Sequence, residues 1–376
     1  MTVIKLANTE EHNSVSSFID EHWKKNHAYV KSKSLFDWTF LNNPNWDGGN
    51  YSISLALNNG TIDGMLGTIP FELNIYGESS KACWLMNWLL LPQARKGRTG
   101  LKLLNIFQKD LGYQTISFGL NDTIARLYSA LKWQEMPAMP RMVWVNPNFS
   151  RETEIFLGKL YSDTDKKVIT QFVQDHATNF KTITKSAQDT FDTVSGKTWD
   201  NRGWGKLRVK TIGCSRDSKY LTWRYFEHPI YKYDSIVVDD GINVGLLIWR
   251  LDNVSNFTQT NCFGESFQFA RIVEFLPNSE FNASKLLSSF IHCMKESGVW
   301  AVDFYCYNNE IINLISKMGF VVSKEAAGLQ FPNYTQPISV GSPIRSAIKL
   351  NDSYASVSTS GDWYWTKSDS DQDRPN

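Results

Sequence analysis

Residues 89–101 read Leu-Leu-Leu-Pro-Gln-Ala-Arg-Lys-Gly-Arg-Thr-Gly-Leu, an apolar run that passes through a basic, glycine-containing turn into a new amphipathic stretch. Arg95, Lys96, Arg98 and Lys102 place four cations within eight residues. A turn that feeds a helix start gathers main-chain N–H groups on one point, and the helix dipole favours negative charge there. Glycines such as Gly97 and Gly100 let a phosphate approach the backbone closely. The chemistry implied is anion binding; the plainer alternative is a solvated basic turn that caps a helix. No Gly-Lys-Ser/Thr closes the turn and it lacks the G-x-G-x-x-G spacing, which excludes the two commonest nucleotide loops.

The elements that must hold this turn follow from hydrophobic periodicity. Residues 10–25 carry apolar positions at helical spacing (Val15, Phe18, Ile19, Trp23), residues 51–57 alternate as a strand, and Asn58-Asn59-Gly60 reads as a turn. Residues 61–75 continue as a strand, and 82–91 form a nearly continuous apolar run suited to a buried strand. A helix over 101–111, a strand over 115–119 and a helix over 122–132 complete an α/β or α+β order.

The same order then recurs. Phe36-x-Trp38-x-Phe40-x-x-x-Pro44 returns as Leu221-x-Trp223-x-Tyr225-x-x-x-Pro229, an offset of 185 residues, and Gly60-x-x-x-Gly64 returns as Gly241-x-x-x-Gly245. The strand ending in Leu91-Pro92 returns as the one ending in Leu276-Pro277, and Asn121, Tyr128 and Trp133 return as Asn308, Ile315 and Phe320. Four matches in one order predict two copies of one fold. The expected units are 1–147, a helical and polar bridge over 148–210 (helical periodicity at 152–160 and 168–180), a second copy over 211–330, and an irregular tail over 331–376. The acidic run Asp369-Ser370-Asp371-Gln372-Asp373 is expected to be solvated, because Arg374 stands where a calcium loop needs its glycine.

Composition bounds the function. At 376 residues two domains are the prior, and 42% apolar with 14% aromatic residues describes a packed core. Lys+Arg 39 against Asp+Glu 38 removes the electrostatic case for nucleic-acid or anionic-membrane binding by the chain as a whole. Five cysteines, Cys83, Cys214, Cys262, Cys293 and Cys306, lack C-x-x-C spacing, so no metal site and no disulfide framework is expected. Neither a signal peptide nor a membrane span is read, which makes the cytoplasm the expected compartment.

The turn resembles the acyl-CoA pyrophosphate loop of the GNAT acetyltransferase superfamily, whose pattern is Arg/Gln-x-x-Gly-x-Gly/Ala. Arg95 and Gly100 fit its first and last places, while Arg98 stands at the first glycine with Gly97 beside it. Downstream, Asn121, Tyr128, Lys132 and Trp133 follow the family's Asn-x6-Tyr-x3-Gly-Phe, lysine replacing glycine. The resemblance implies two tandem domains, each a mixed, mostly antiparallel twisted sheet flanked by helices, with splayed central strands. It implies acetyl-CoA or another short acyl-CoA as co-substrate, its pantetheine lying in the splay against the main chain of Leu89, Leu90 and Leu91. Lys96, Thr99 and their neighbours would hold the diphosphate, and Asn121 would reach the pantetheine. Tyr128 stands where the family's tyrosine protonates the departing thiolate, its alternative being a core tyrosine. Strand N–H groups near Asn87 would stabilise the oxyanion.

The second copy keeps Asn308, Gly319 and Phe320, but its turn, Pro277-Asn278-Ser279-Glu280-Phe281-Asn282, has no basic residue and no glycine. It reads as a fold that lost the donor site and is free to hold an acceptor. The family's usual glutamate base is here Asn87, which cannot take a proton, so the candidates are His228 first, then Glu274, Asp303 and His27. His22, His176 and His292 read as helix-surface or core residues. Trp223, Arg224, Tyr231 and Tyr233 are candidate acceptor contacts, strand-edge packing being the alternative. The tandem pattern and tail are similar to GNAT-like proteins of bacterial surface-polysaccharide synthesis, which implies an amino-sugar acceptor, often nucleotide-linked, and a monomer or homodimer. The rival readings are an acyl or aminoacyl transferase acting on peptide or cell-wall precursors, and a non-catalytic binding protein.

Overall fold

The computed structural model describes residues 2–95, 97–149, 189–254, 267–322, 343–351, 354, 357 and 361–373. Lys96, His176 and the periodic segments 152–160 and 168–180 lie outside the described residues. The strands in chain order are β1 (Thr2–Leu6), β2 (Ile53–Asn58), β3 (Thr61–Ile75), β4 (Glu78–Leu90), β5 (Gln114–Phe118), β6 (Gln134–Met136), β7 (Arg141–Val145), β8 (Ile212–Cys214), β9 (Asp234–Asp239), β10 (Val244–Val254), β11 (Phe267–Leu276), β12 (Ala301–Tyr305), β13 (Val321–Val322), β14 (Ser346–Lys349) and β15 (Trp363–Tyr364). They form two mixed sheets. The first runs β1-β2-β3-β4-β5-β14-β6, with β8 joined to β3 and β15 to β8; the second runs β13-β7-β12-β11-β10-β9.

Local chemistry explains the hairpins. Asn59 and Gly60 between β2 and β3, and Tyr76 and Gly77 between β3 and β4, all have positive φ, the two-residue turn whose twist matches the flanking strands. Each sheet has a parallel pair at its centre: β4 with β5 from Ala82↔Gln114 to Leu85↔Ser117, and β11 with β12 from Phe269↔Ala301 to Ile272↔Phe304; β15 also pairs in parallel with β8 at the margin of the first sheet. Beyond those residues each central pair separates. The helices Thr99–Asn105 and Glu280–Glu296 follow the two separated strands, and Gly64 and Gly245 occupy equivalent places beneath them. A Cβ on Gly64 would lie 2.4 Å from Leu90 Cδ2, and one on Gly245 would lie 3.0 Å from Asn282 Cβ.

The 185-residue repeat appears as a two-fold contact. Trp38, on the helix Lys33–Phe40, stacks on Trp223 with ring centroids 4.6 Å apart and planes inclined 17°. The Trp38 indole N–H donates to the Trp223 carbonyl at 3.0 Å, and the Trp223 indole N–H to the Trp38 carbonyl at 3.3 Å. Each tryptophan does for its counterpart what the counterpart does for it, as at a symmetric dimer interface. Strands also cross between the halves: β7 pairs with β12 in the second sheet, while in the first β14 pairs with β5 and β6, and β8, carrying β15, pairs with β3. No helix among the described residues is long and apolar enough to cross a membrane.

The acidic tail is not solvated, contrary to the sequence expectation. Asp369 and Asp373 are 2% exposed. Arg216 Nη2 lies 2.7 Å from Asp369 and its Nε 2.7 Å from Glu274, with all three side chains fully buried. Arg250 donates to Asp373 at 2.9 Å, and Arg224 donates to the carbonyls of Ser368 and Ser370. Buried carboxylates are stable only when paired, and arginines remote in sequence supply the partners.

Candidate functional site

Where β4 leaves β5, its pairing with β3 slips: Met65 faces Leu89 while Gly67 faces Met86. Asn87 and Trp88 therefore stand opposite the single residue Leu66, a β-bulge of the kind that re-aims side chains. Asn87 takes the left-handed conformation at φ 49°, which asparagine tolerates better than most residues. Asn87 is 3% exposed, and among the described residues neither its amide oxygen nor its amide nitrogen has a hydrogen-bond partner. A buried, unsatisfied amide costs about 1–3 kcal/mol per group, so the bulge holds a donor and an acceptor ready for a ligand.

Immediately beyond, Leu89, Leu90 and Leu91 are half-buried, and Pro92–Arg95 makes a short 3₁₀ turn. Arg95 Nε donates to the Leu90 carbonyl at 2.9 Å, bracing the turn against the strand. Gly97 has φ 117°, and among the described residues beyond its chain neighbours nothing lies within 4 Å of where its Cβ would be. Arg98 starts the helix Thr99–Asn105 without capping it by its side chain. Arg95, Arg98 and Lys102 are exposed around the turn. Gly100 lets the helix start pack against β4, its would-be Cβ 3.1 Å from Leu90 Cδ1 and 3.4 Å from Trp88 Cζ2. The assembly can bind an anion at the turn and an amide-bearing chain along the bulge.

Across the gap, Asn121 caps the helix Asp122–Ala130 by accepting from the Ile124 N–H at 2.9 Å. Asn308 does the same for Asn309–Ser316 in the second half. Tyr128 is 2% exposed; it stacks on Trp133 at 4.1 Å and lies 6.2 Å from Trp88. Burial pushes its phenol up to about 12, opposed by a hydrogen bond with Ser117, so it is a protonated donor at neutral pH. Bulge, turn and tyrosine thus converge on the gap between β4 and β5.

The other sequence candidates lie on the second half. His228 packs on Trp38, Tyr231 and Tyr233, and its Nδ1 accepts from the N–H groups of Ile230 and Tyr231. Burial, with Arg224 adding to it, pulls its pKa down to about 3. Tyr231 is covered by the Arg250 guanidinium, 4.0 Å from the ring centre, and Tyr233 donates to Asp373 at 3.2 Å. Burial raises Asp303, but Arg271 and Arg141 beside it hold it at about 2. Glu274 is raised by burial and ringed by Arg216, Tyr225 and Tyr364. His27 caps a helical turn through Nδ1, while His22 sits edge-on to Phe18 and His292 is exposed. Lys367, absent from the sequence candidates, is brought down to about 7 by burial, with Arg271 adding to the effect.

The His228 environment gives a testable pH dependence. Its folded pKa lies below the unfolded value near 6.5, so the neutral form stabilises the fold above pH 6.5 and that contribution is lost as pH falls toward 3. Lowering the pH from 7 to 5 is expected to cost about 2 kcal/mol through this residue. His228→Asn, which keeps an acceptor for the two N–H groups, is expected to flatten the slope measured by urea denaturation across that window.

The second gap differs in one decisive respect. Tyr364 Oη accepts from the Phe275 N–H at 3.0 Å and lies 2.8 Å from Glu274 Oε2. Ser368 donates to the Val273 carbonyl at 3.2 Å, and Thr366 bridges to Cys306. Glu274 follows the last residue of β11 paired with β12 by two, as Asn87 follows the last residue of β4 paired with β5. The chain's own tail therefore satisfies β11 where β4 keeps an unpartnered amide.

No family model and no curated protein sequence matches the chain. Among solved structures, an Enterococcus faecalis V583 protein described as a probable N-acyltransferase superposes with TM-score 0.56 at 10% identity, over 92% of this chain and 72% of that one. Saccharomyces cerevisiae N-myristoyltransferase with bound myristoyl-CoA superposes with TM-score 0.52 at 8% identity, over 92% and 78%. The chain shares the fold of these two structures. At these identities the likeness is one of fold, and its doubled, gapped sheets are those the motif resemblance implied.

Proposed function

We propose that the chain is an acyl-CoA-dependent N-acyltransferase whose donor site is the gap between β4 and β5. One contrast carries the reading: the second gap is filled by residues 364–368, whereas the first keeps an unpartnered asparagine and a basic, open turn. Acyl-CoA supplies a thioester, a diphosphate and two amides. Arg95, Arg98 and the main chain around Gly97 suit the diphosphate, with Lys96 and Thr99 flanking them, and the Asn87 amide suits an amide of the pantetheine arm. The N–H groups of the bulge stabilise the oxygen that gains charge, and Tyr128 gives a proton to the thiolate.

Acetyl-CoA at a hundredfold excess over its dissociation constant is expected to stabilise the protein by about 2.7 kcal/mol, seen as a rise in melting temperature. Arg98→Glu is expected to abolish the rise. Unchanged melting of the wild-type protein with excess CoA rejects the donor assignment.

The acceptor assigned here is an amino sugar, nucleotide-linked and destined for surface polysaccharide, on the strength of the motif resemblance alone. Incubation with acetyl-CoA and a panel of nucleotide-linked amino sugars, amino acids and short peptides, following free thiol, separates this acceptor from the peptide reading. Thiol release with peptides and none with amino sugars rejects it.

A further inference from the structure

The closed end of the first gap is built partly by the far end of the chain. Pairing of β4 with β5 ends at Leu85 opposite Ser117. Trp84 precedes that point by one residue on β4, and Phe118 follows it by one on β5. Their ring centroids lie 4.5 Å apart, and Phe71 stacks on Trp84 at 4.9 Å. Trp365 packs edge-on to both, at 5.2 Å from Trp84 and 5.7 Å from Phe118. Trp84 and Trp365 have no exposure and Phe118 has 7%.

Backbone bonds fix Trp365 in that place. Its carbonyl accepts from the Tyr307 N–H at 3.2 Å, the next residue, Thr366, bridges to Cys306, and Trp363 packs against its ring at 4.3 Å. The second sheet thus holds a ring against the end of the gap in the first. From the bulge at Asn87 to the last paired residue, Leu85, is two residues of strand, about 7 Å. A thioester seated at the bulge therefore has room for only a few carbons before it meets these buried, mutually packed rings, and displacing buried side chains carries a cost.

We propose that Trp365 sets the length of the acyl group, restricting the donor to short-chain acyl-CoA. The proposal rests on the acyl-CoA reading and deepens it. Calorimetric titration of the full chain with CoA, acetyl-CoA and octanoyl-CoA tests it. Wild-type protein is expected to bind octanoyl-CoA at least tenfold more weakly than acetyl-CoA, and Trp365→Ala to raise the octanoyl-to-acetyl affinity ratio at least tenfold. Phe118→Leu opens the same end from the sheet side and serves if the tail variant does not fold; the same rise is expected. Equal wild-type affinity for the two thioesters, or an unchanged ratio in the variants, overturns the gate while leaving CoA binding intact. Failure of wild-type protein to bind CoA at all overturns the acyl-CoA reading and the gate together.

Discussion

Arg216→Met is expected to remove about 3–5 kcal/mol of stability, the characteristic cost of deleting one partner of a buried ionic group. The guanidinium lies 2.7 Å from both Glu274 and Asp369, and none of the three side chains has any exposure. Methionine fills much of the volume and leaves two carboxylates together without a cation. Burial already pushes Glu274 upward, so in the variant it is expected to take a proton as the protein folds. The loss is therefore expected to shrink as pH falls, because a neutral Glu274 no longer repels Asp369. Adding Glu274→Gln and Asp369→Asn to Arg216→Met is expected to recover most of the stability. Urea denaturation of the single and triple variants checks this, and a single-variant loss below 1 kcal/mol would show that the tail is anchored by its aromatic packing alone.

That anchor marks the boundary of what the sequence shows. The repeat was legible because Trp38 and Trp223, Gly60 and Gly241, and Asn121 and Asn308 each do one local job twice: a stacked indole, a positive-φ turn and a helix cap. Local jobs leave local spacing. The basic turn was legible for the same reason. The buried tail was not, because the acids of 369–373 look solvated until Arg216, Arg224 and Arg250 are known to face them. One signal was present: Trp363-Tyr364-Trp365 is too aromatic for a solvated end, and all three side chains are at most 3% exposed. The exchange of β7 and β14 between sheets left no such mark, since strand partners are chosen by long-range pairing rather than by sequence neighbours.

The bulge shows a subtler limit. Asn87 stood in the sequence only as the residue that replaces a basic glutamate, with nothing to signal a left-handed backbone within an apolar strand. Its counterpart Glu274 keeps the carboxylate but is sealed by Arg216, Tyr225 and Tyr364. The two halves thus differ at corresponding strand positions. One retains an accessible turn with a neutral amide, and the other retains an acid that serves as a structural ion partner.

Tyr128→Phe is expected to lower turnover by about 100-fold or more, within the range of general acid catalysis, with acetyl-CoA affinity changed less than threefold. Three features of its place support that split. The ring is held by Trp133 at 4.1 Å, so phenylalanine keeps the stack and the helix. The phenol, pushed up to about 12 by burial, is fully protonated across the working range and so always has a proton to present to the departing sulfur. Ser117, the last residue of β5 paired with β4, shares the hydroxyl's hydrogen bond and can orient it toward the gap. Ser117→Ala is therefore expected to lower turnover by a smaller factor, without the full loss of Tyr128→Phe. Because the phenol titrates far above neutrality, the loss in Tyr128→Phe is expected to be uniform from pH 6 to pH 9. Wild-type turnover in the phenylalanine variant would leave Tyr128 as a core residue that closes the helix onto Trp133, and the thiolate would then have to take its proton from water.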